Sequence, residues 1–197
     1  MSLQTIVFVT LLAMIVFWAV GAYNRLVRLK NVIANAFGQI DVQLKRRYDL
    51  IPNLVEAAQK YLVHEQATLE AVISARNQAR SASEMVTSRP GQAAAVIALA
   101  AAEQTLDSSL GRLFALAEAY PDLKADETIR ELSEELTSTE NKVGFSRQAY
   151  NDAVLDYNNA QGQFPALLVA RLFGFAPSAM LRATQSDAER QAVRITL

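Results

Sequence analysis

The chain has no cysteine. That excludes disulfides, thiolate metal ligands and a cysteine nucleophile together. Its single histidine is His64. His64-Glu65 begins like the His-Glu-x-x-His of zinc proteases, yet Thr68 stands where the second histidine belongs. Tyr61 stands where a di-iron bundle would carry glutamate, so neither metal pattern is complete. No metal and no cofactor are expected, and His64 reads as a structural residue paired with a carboxylate. Only seven glycines and five prolines are present. There is no phosphate-cradling glycine loop, and the prolines fall mostly at expected helix borders. With no plausible triad either, the chain reads as a non-enzyme. The formal net charge is −1, so no global basic field invites nucleic acid. Lys45-Arg46-Arg47 lacks aromatic interleaving and reads as a solvated helix end.

What is present begins with an uncharged run from Leu3 to Tyr23. About twenty apolar residues cross the hydrocarbon of a bilayer as a helix. Trp18 and Tyr23 sit near the end of the run, where aromatic rings favour the headgroup zone. Leu3, Trp18 and Tyr23 therefore mark a membrane anchor, residues 1–23. Ala19-Val20-Gly21 would serve as a signal-peptide cleavage site, but no Lys or Arg side chain precedes the run. A retained anchor is the better reading. Arg25, Arg28 and Lys30 crowd the following flank. Positive residues stay on the cytoplasmic side. The expected placement is a single pass through the inner membrane, with the N-terminus outside and the rest cytoplasmic. The bilayer is the first expected partner.

The remainder reads as all-α: an antiparallel, up-and-down, four-helix-type bundle over residues 24–175, then a tail over 176–197. Leu26, Leu29, Ile33, Phe37, Ile40, Leu44 and Tyr48 recur at steps of three and four, the stripe of a long coiled-coil-like helix. This helix is expected to continue the anchor without a break. Pro52 fits the first turn of a second helix running to about Ser81. Ser81 to Gly91 reads as a loop, and Gln92 to Ala119 as an alanine-rich third helix ended by Tyr120-Pro121. Asp126-Glu127 opens a fourth helix, with Ile129, Leu132, Leu136, Thr139, Val143, Tyr150, Val154 and Tyr157 as its seam. Glu140, Asn141 and Arg147 enter this seam, and pairing with Arg46, Arg47, Asp41 and Glu103 is expected. Phe164-Pro165 starts a short apolar segment stopped by Gly174. It either caps the bundle or makes Phe164, Phe173 and Phe175 contacts for the bilayer or another subunit. The tail from Pro177 is polar, and Val193 to Leu197 is a candidate added strand or groove ligand.

Several blocks carry a resemblance. They are Tyr23-Asn24-Arg25-Leu26-Val27, Gln39 to Val55, Lys60 to Glu65, Glu118 to Ala125, Thr139 to Lys142, Arg147 to Val154 and Tyr157-Asn158. Together with Phe164-Pro165 and Gly174-Phe175 they resemble the LemA family of bacterial single-pass membrane proteins with a cytoplasmic helical bundle. Phe37 stands where that family usually has tryptophan. The resemblance implies architecture far more than activity. Members are often encoded near a membrane metalloprotease, which implies an adaptor or regulator of another membrane protein as one function. The residues themselves favour a homo-oligomeric scaffold, with the anchor, alanine-rich faces and terminal aromatics supplying lateral contacts.

Overall fold

The computed structural model describes residues 2–181. Helix α1 spans Leu3–Gln59, 57 residues, which is about 85 Å at 1.5 Å per residue. The apolar run and the first bundle helix are thus one element. Nothing between them breaks the backbone ladder, since Gly21 and Gly38 are isolated and both stay helical. The stripe from Leu26 to Tyr48 is buried at every position except half-buried Leu29. It continues through Ile51, Leu54 and Ala58.

Pro52 does not open a new helix; it lies inside α1. A proline within a helix leaves the carbonyl four residues back without its N–H partner. Here that carbonyl belongs to Tyr48, and Arg76 of the next helix supplies the donor, Nε to O at 2.9 Å. The replaced bond lets the helix run on to Gln59. The corner comes at Lys60–Glu65, where the N–H groups of Tyr61 and Leu62 both reach Ala58 O at 3.0 Å. His64 is exposed in this turn rather than set in mid-helix.

Helix α2 (Gln66–Ser88) runs back along α1, and α3 (Ala93–Ala119) runs outward again. A single turn, α4 (Pro121–Ala125), leads into α5 (Glu127–Gly162), and α6 (Ala166–Leu172) follows. Residues Ser81 to Ser88, expected as loop, are helical. Their hydroxyls bond to the helix itself, Thr87 to Ser83 O at 3.1 Å and Ser88 to Met85 O at 2.8 Å, while Ser83 donates to Asp41. The serines that looked like punctuation therefore decorate the last turns of α2. The true turn holds Gly91 at φ +80°, and a Cβ there would lie 2.6 Å from Ser178 Oγ. Asp126 caps α5 by accepting from Ile129 N–H at 3.1 Å and from the Tyr61 hydroxyl at 2.9 Å. Those two donors hold its carboxyl below the usual carboxylate range.

Four long helices alternate in direction. α1 packs on α5 and on α2, and α2 packs on α3. One core runs through all of them, with Phe37 edge-on to Tyr150 at 6.0 Å between ring centres. Among the described residues there is no strand.

Candidate membrane-proximal site

The foot of the bundle is built where α5 and α6 return to the start of α1. Ala170 packs on Leu26 and Ala160, closing α6 onto both long helices. Just past α6, Phe173 and Phe175 meet Tyr23 edge-on, with ring centres 4.9 Å and 5.5 Å apart. Aromatic pairs favour this edge-to-face geometry. The fold therefore gathers Tyr23, Phe173 and Phe175 into one cluster. Phe164 stays outside it and is 80% exposed. Leu168 and Leu172, which the sequence did not single out, are exposed at the same four-residue spacing. Only their joint exposure reveals them, because Val169 and Ala170 of the same run are buried. Arg25, Arg28 and Lys30 are exposed on α1 directly above Tyr23, and Leu3 and Trp18 are exposed below it.

Above the foot, α5 grips the first part of the tail. Asn158 accepts from Ser178 N–H and donates to Ser178 O, both at 2.9 Å. Asn151 does the same with Leu181, again at 2.9 Å each way. The hydroxyls of Tyr157 and Tyr150 donate to Ala176 O at 2.9 Å and Ala179 O at 3.0 Å. The Tyr-Asn pair recurs after seven residues, which returns it to the same helix face. Seven helical residues rise about 10.5 Å, and three extended residues span about 10 Å, so Ser178 and Leu181 fall in register with Asn158 and Asn151. Burial pushes the Tyr150 hydroxyl up to about 12 and raises that of Tyr157, so both remain donors. Leu181 is itself buried. The candidate strand at Val193 to Leu197 lies outside the described residues.

This clamp has a measurable consequence. Asn151→Ala with Asn158→Ala is expected to cost about 1–3 kcal/mol per site, because part-buried backbone groups lose both partners. Hydrogen exchange of the Ser178 and Leu181 amides should quicken. Asn159→Ala, on the exposed face, should leave both amides protected.

A third constellation lies deeper. Arg47 is buried and reaches across to α3, with Nη1 2.9 Å from Glu103 Oε2 and Nη2 on Asp107. The Tyr48 hydroxyl donates to the same Glu103. Burial works against the Arg47 charge, but Asp107 and Glu103 outweigh it and raise its pKa. Burial raises the Glu103 carboxyl, with Arg47 and Tyr48 pulling it back, and burial with the Glu103 charge raises Tyr48 strongly. Asp41 ties α1 to α2 through Ser83 at 3.0 Å and holds Lys45 at 2.7 Å. Arg46 pairs with Glu135 of α5, Nε to Oε1 at 3.0 Å.

These partners differ from those expected. Glu140 and Asn141 are exposed, Arg147 is half-buried, and the buried polar residue of the α5 seam is Thr139. Thr139 satisfies its hydroxyl on Leu136 O at 2.7 Å. The acid that meets buried Arg47 is part-buried Glu103 of α3, and the buried acid is Asp41 of α1. Each cluster couples a carboxylate to a cation or hydroxyl. Among the described residues no three histidine or carboxylate groups converge as a metal site.

A helix apolar and long enough to cross a membrane, running unbroken into an antiparallel bundle, defines a membrane-associated helical protein. Comparison with known proteins narrows the class. The LemA family profile matches residues 36–197, most of the chain, and the chain belongs to the LemA family. Among curated relatives, it is 24% identical to the magnetosome protein MamQ of Magnetospirillum gryphiswaldense over 88% of this chain. The match spans 66% of MamQ, so this chain covers about two thirds of that relative's length. It is 25% identical to the LemA protein of Metamycoplasma hominis, over 91% of this chain and 78% of that one.

Proposed function

We propose that the protein is a single-pass scaffold of the inner membrane, not an enzyme, whose cytoplasmic bundles associate side by side. Arg25, Arg28 and Lys30 support this orientation, since these three cations flank the bundle side of the apolar run. The observation that carries the association is a groove of about 870 Å³ along α2, with Val55, Leu69, Ile73, Gln78 and Met85 among its lining. Glu70 is its one charged residue. The groove extends from Gln66 to Met85, about 29 Å of helix, which matches a neighbouring helix in length. Beyond Met85 the face continues onto Ala94 and Ala98 of α3, where small side chains permit close approach. Copies anchored with one polarity share only rotation axes along the bilayer normal, so repeated contacts close into rings or spread as arrays.

The test is the native mass of full-length protein in mild detergent, by light scattering with electron-microscope images. An assembly of several copies is expected, and Ser81→Glu with Met85→Glu should reduce it to monomer while helix content is unchanged. A wild-type monomer or dimer overturns the scaffold. It would leave the adaptor reading, in which mass rises only when a second membrane protein, such as a metalloprotease, is added.

A further inference from the structure

We propose that α6 and its flanks form a second membrane contact, an apolar foot seated in the headgroup zone of the leaflet that the anchor enters. Phe164, Leu168, Leu172 and Phe173 are 80%, 58%, 78% and 56% exposed. Four large apolar side chains within ten residues form a patch that a water-facing surface rarely keeps. Its height is set by its neighbour. The apolar run from Leu3 to Tyr23 rises about 31 Å, the thickness of the hydrocarbon layer. Tyr23 thus stands at the interface, and Phe173 packs on it at 4.9 Å. The patch is continuous with the membrane surface at the depth where aromatic rings partition best.

Charge agrees. From Tyr157 to Leu181 there is no acidic residue, and the one charged side chain is the exposed Arg171. Together with Arg25, Arg28 and Lys30 it gives the foot a cationic rim, each cation adding about 1 kcal/mol of attraction to an anionic leaflet. A hydrophobic tip with a basic rim is the pattern of an interfacial helix. The seating also restricts rotation of the bundle about its anchor, since two separate points then meet the bilayer.

The inference rests on Leu3 to Tyr23 crossing the bilayer, and Trp18, the only tryptophan, reports on that separately. Full-length protein is reconstituted into vesicles of phosphatidylcholine and phosphatidylglycerol carrying spin-labelled lipids. Wild-type Trp18 emission should be lost to labels within the chains. In a Trp18→Phe background, Phe164→Trp and Leu172→Trp should lose emission to labels near the glycerol backbone and resist iodide. Phe145→Trp, at an 81% exposed position on α5 away from both the foot and the α2 groove, should show the reverse. Tryptophans at 164 and 172 that iodide quenches and lipid labels do not would overturn the foot while leaving the anchor intact. Shielding from both quenchers would mean that another protein copy covers the patch, which also overturns it. An unquenched Trp18 would overturn anchor and foot together.

Discussion

Replacing Glu103 with leucine is expected to destabilise the bundle by about 3–5 kcal/mol, because it strands a buried guanidinium. Arg47 keeps only Asp107, whose side chain is 51% exposed against 13% for Glu103. The Tyr48 hydroxyl loses its acceptor in the same step, and Arg47 Nε is already buried without a partner. The loss measures a charge left unpaired, and the net worth of the pair is a different quantity. Adding Arg47→Met and Tyr48→Phe should therefore return most of it, since a buried ion pair replaced by apolar groups of similar volume is often neutral. Asp107→Asn alone should cost below about 1 kcal/mol, as expected of a half-solvated partner. Urea unfolding of the detergent-held chain, followed by helical circular dichroism, separates the three. A single Glu103 variant as stable as wild type would show that the cluster is solvated and unimportant.

The second expected result concerns a backbone bond supplied from outside its helix. Arg76→Met should cost about 1–3 kcal/mol by orphaning the Tyr48 carbonyl. In a Pro52→Ala background the residue at 52 regains an N–H aimed at that carbonyl, and the cost should fall to a few tenths of a kcal/mol. The coupling between the two substitutions is the informative quantity. Asp49, 3.8 Å from Arg76 and 77% exposed, contributes a contact of the weakest kind. Equal costs of Arg76→Met in both backgrounds would reduce Arg76 to an ordinary packing residue.

Pro52 also shows where the sequence was legible and where it was not. The stripe from Leu26 to Tyr48 reads directly as one buried face, and so does the seam of α5. Local pattern alone decides both, because each follows from the helical period. Pro52 misled because its missing donor is compensated by an arginine twenty-four residues later, a fact of tertiary structure. Ser81 to Ser88 misled for the opposite reason. Serines are common in loops, but here the hydroxyls of Thr87 and Ser88 fold back on the helix, and Ser83 is buried against Asp41. The polar seam was expected on Glu140 and Asn141 because they fall near the apolar stripe. The helix instead turns them to solvent, and part-buried Glu103 of α3 takes the place beside Arg47. The Tyr-Asn pairs at Tyr150-Asn151 and Tyr157-Asn158 fell inside the blocks of resemblance, yet their role as a repeat needed the extended chain beside them. Phe164, Phe173 and Phe175 stood out in the sequence as aromatics, whereas the exposure of Leu168 and Leu172 shows only once α6 is packed.

The unbroken α1 has a mechanical consequence. From Asn24 to Gln59 it projects about 54 Å beyond the apolar run, with no hinge between lipid and bundle. With that run in a bilayer, whatever tilts the spanning segment swings the whole bundle as a lever. A tilt of about 20°, ordinary for a spanning helix, carries the far end about 18 Å sideways. Bilayer thickness sets that tilt, because a run longer than the hydrocarbon leans to fit. In the scaffold proposed above, the spacing between neighbouring bundles would thereby be coupled to bilayer thickness, and a thinner patch would splay the assembly differently from a thicker one.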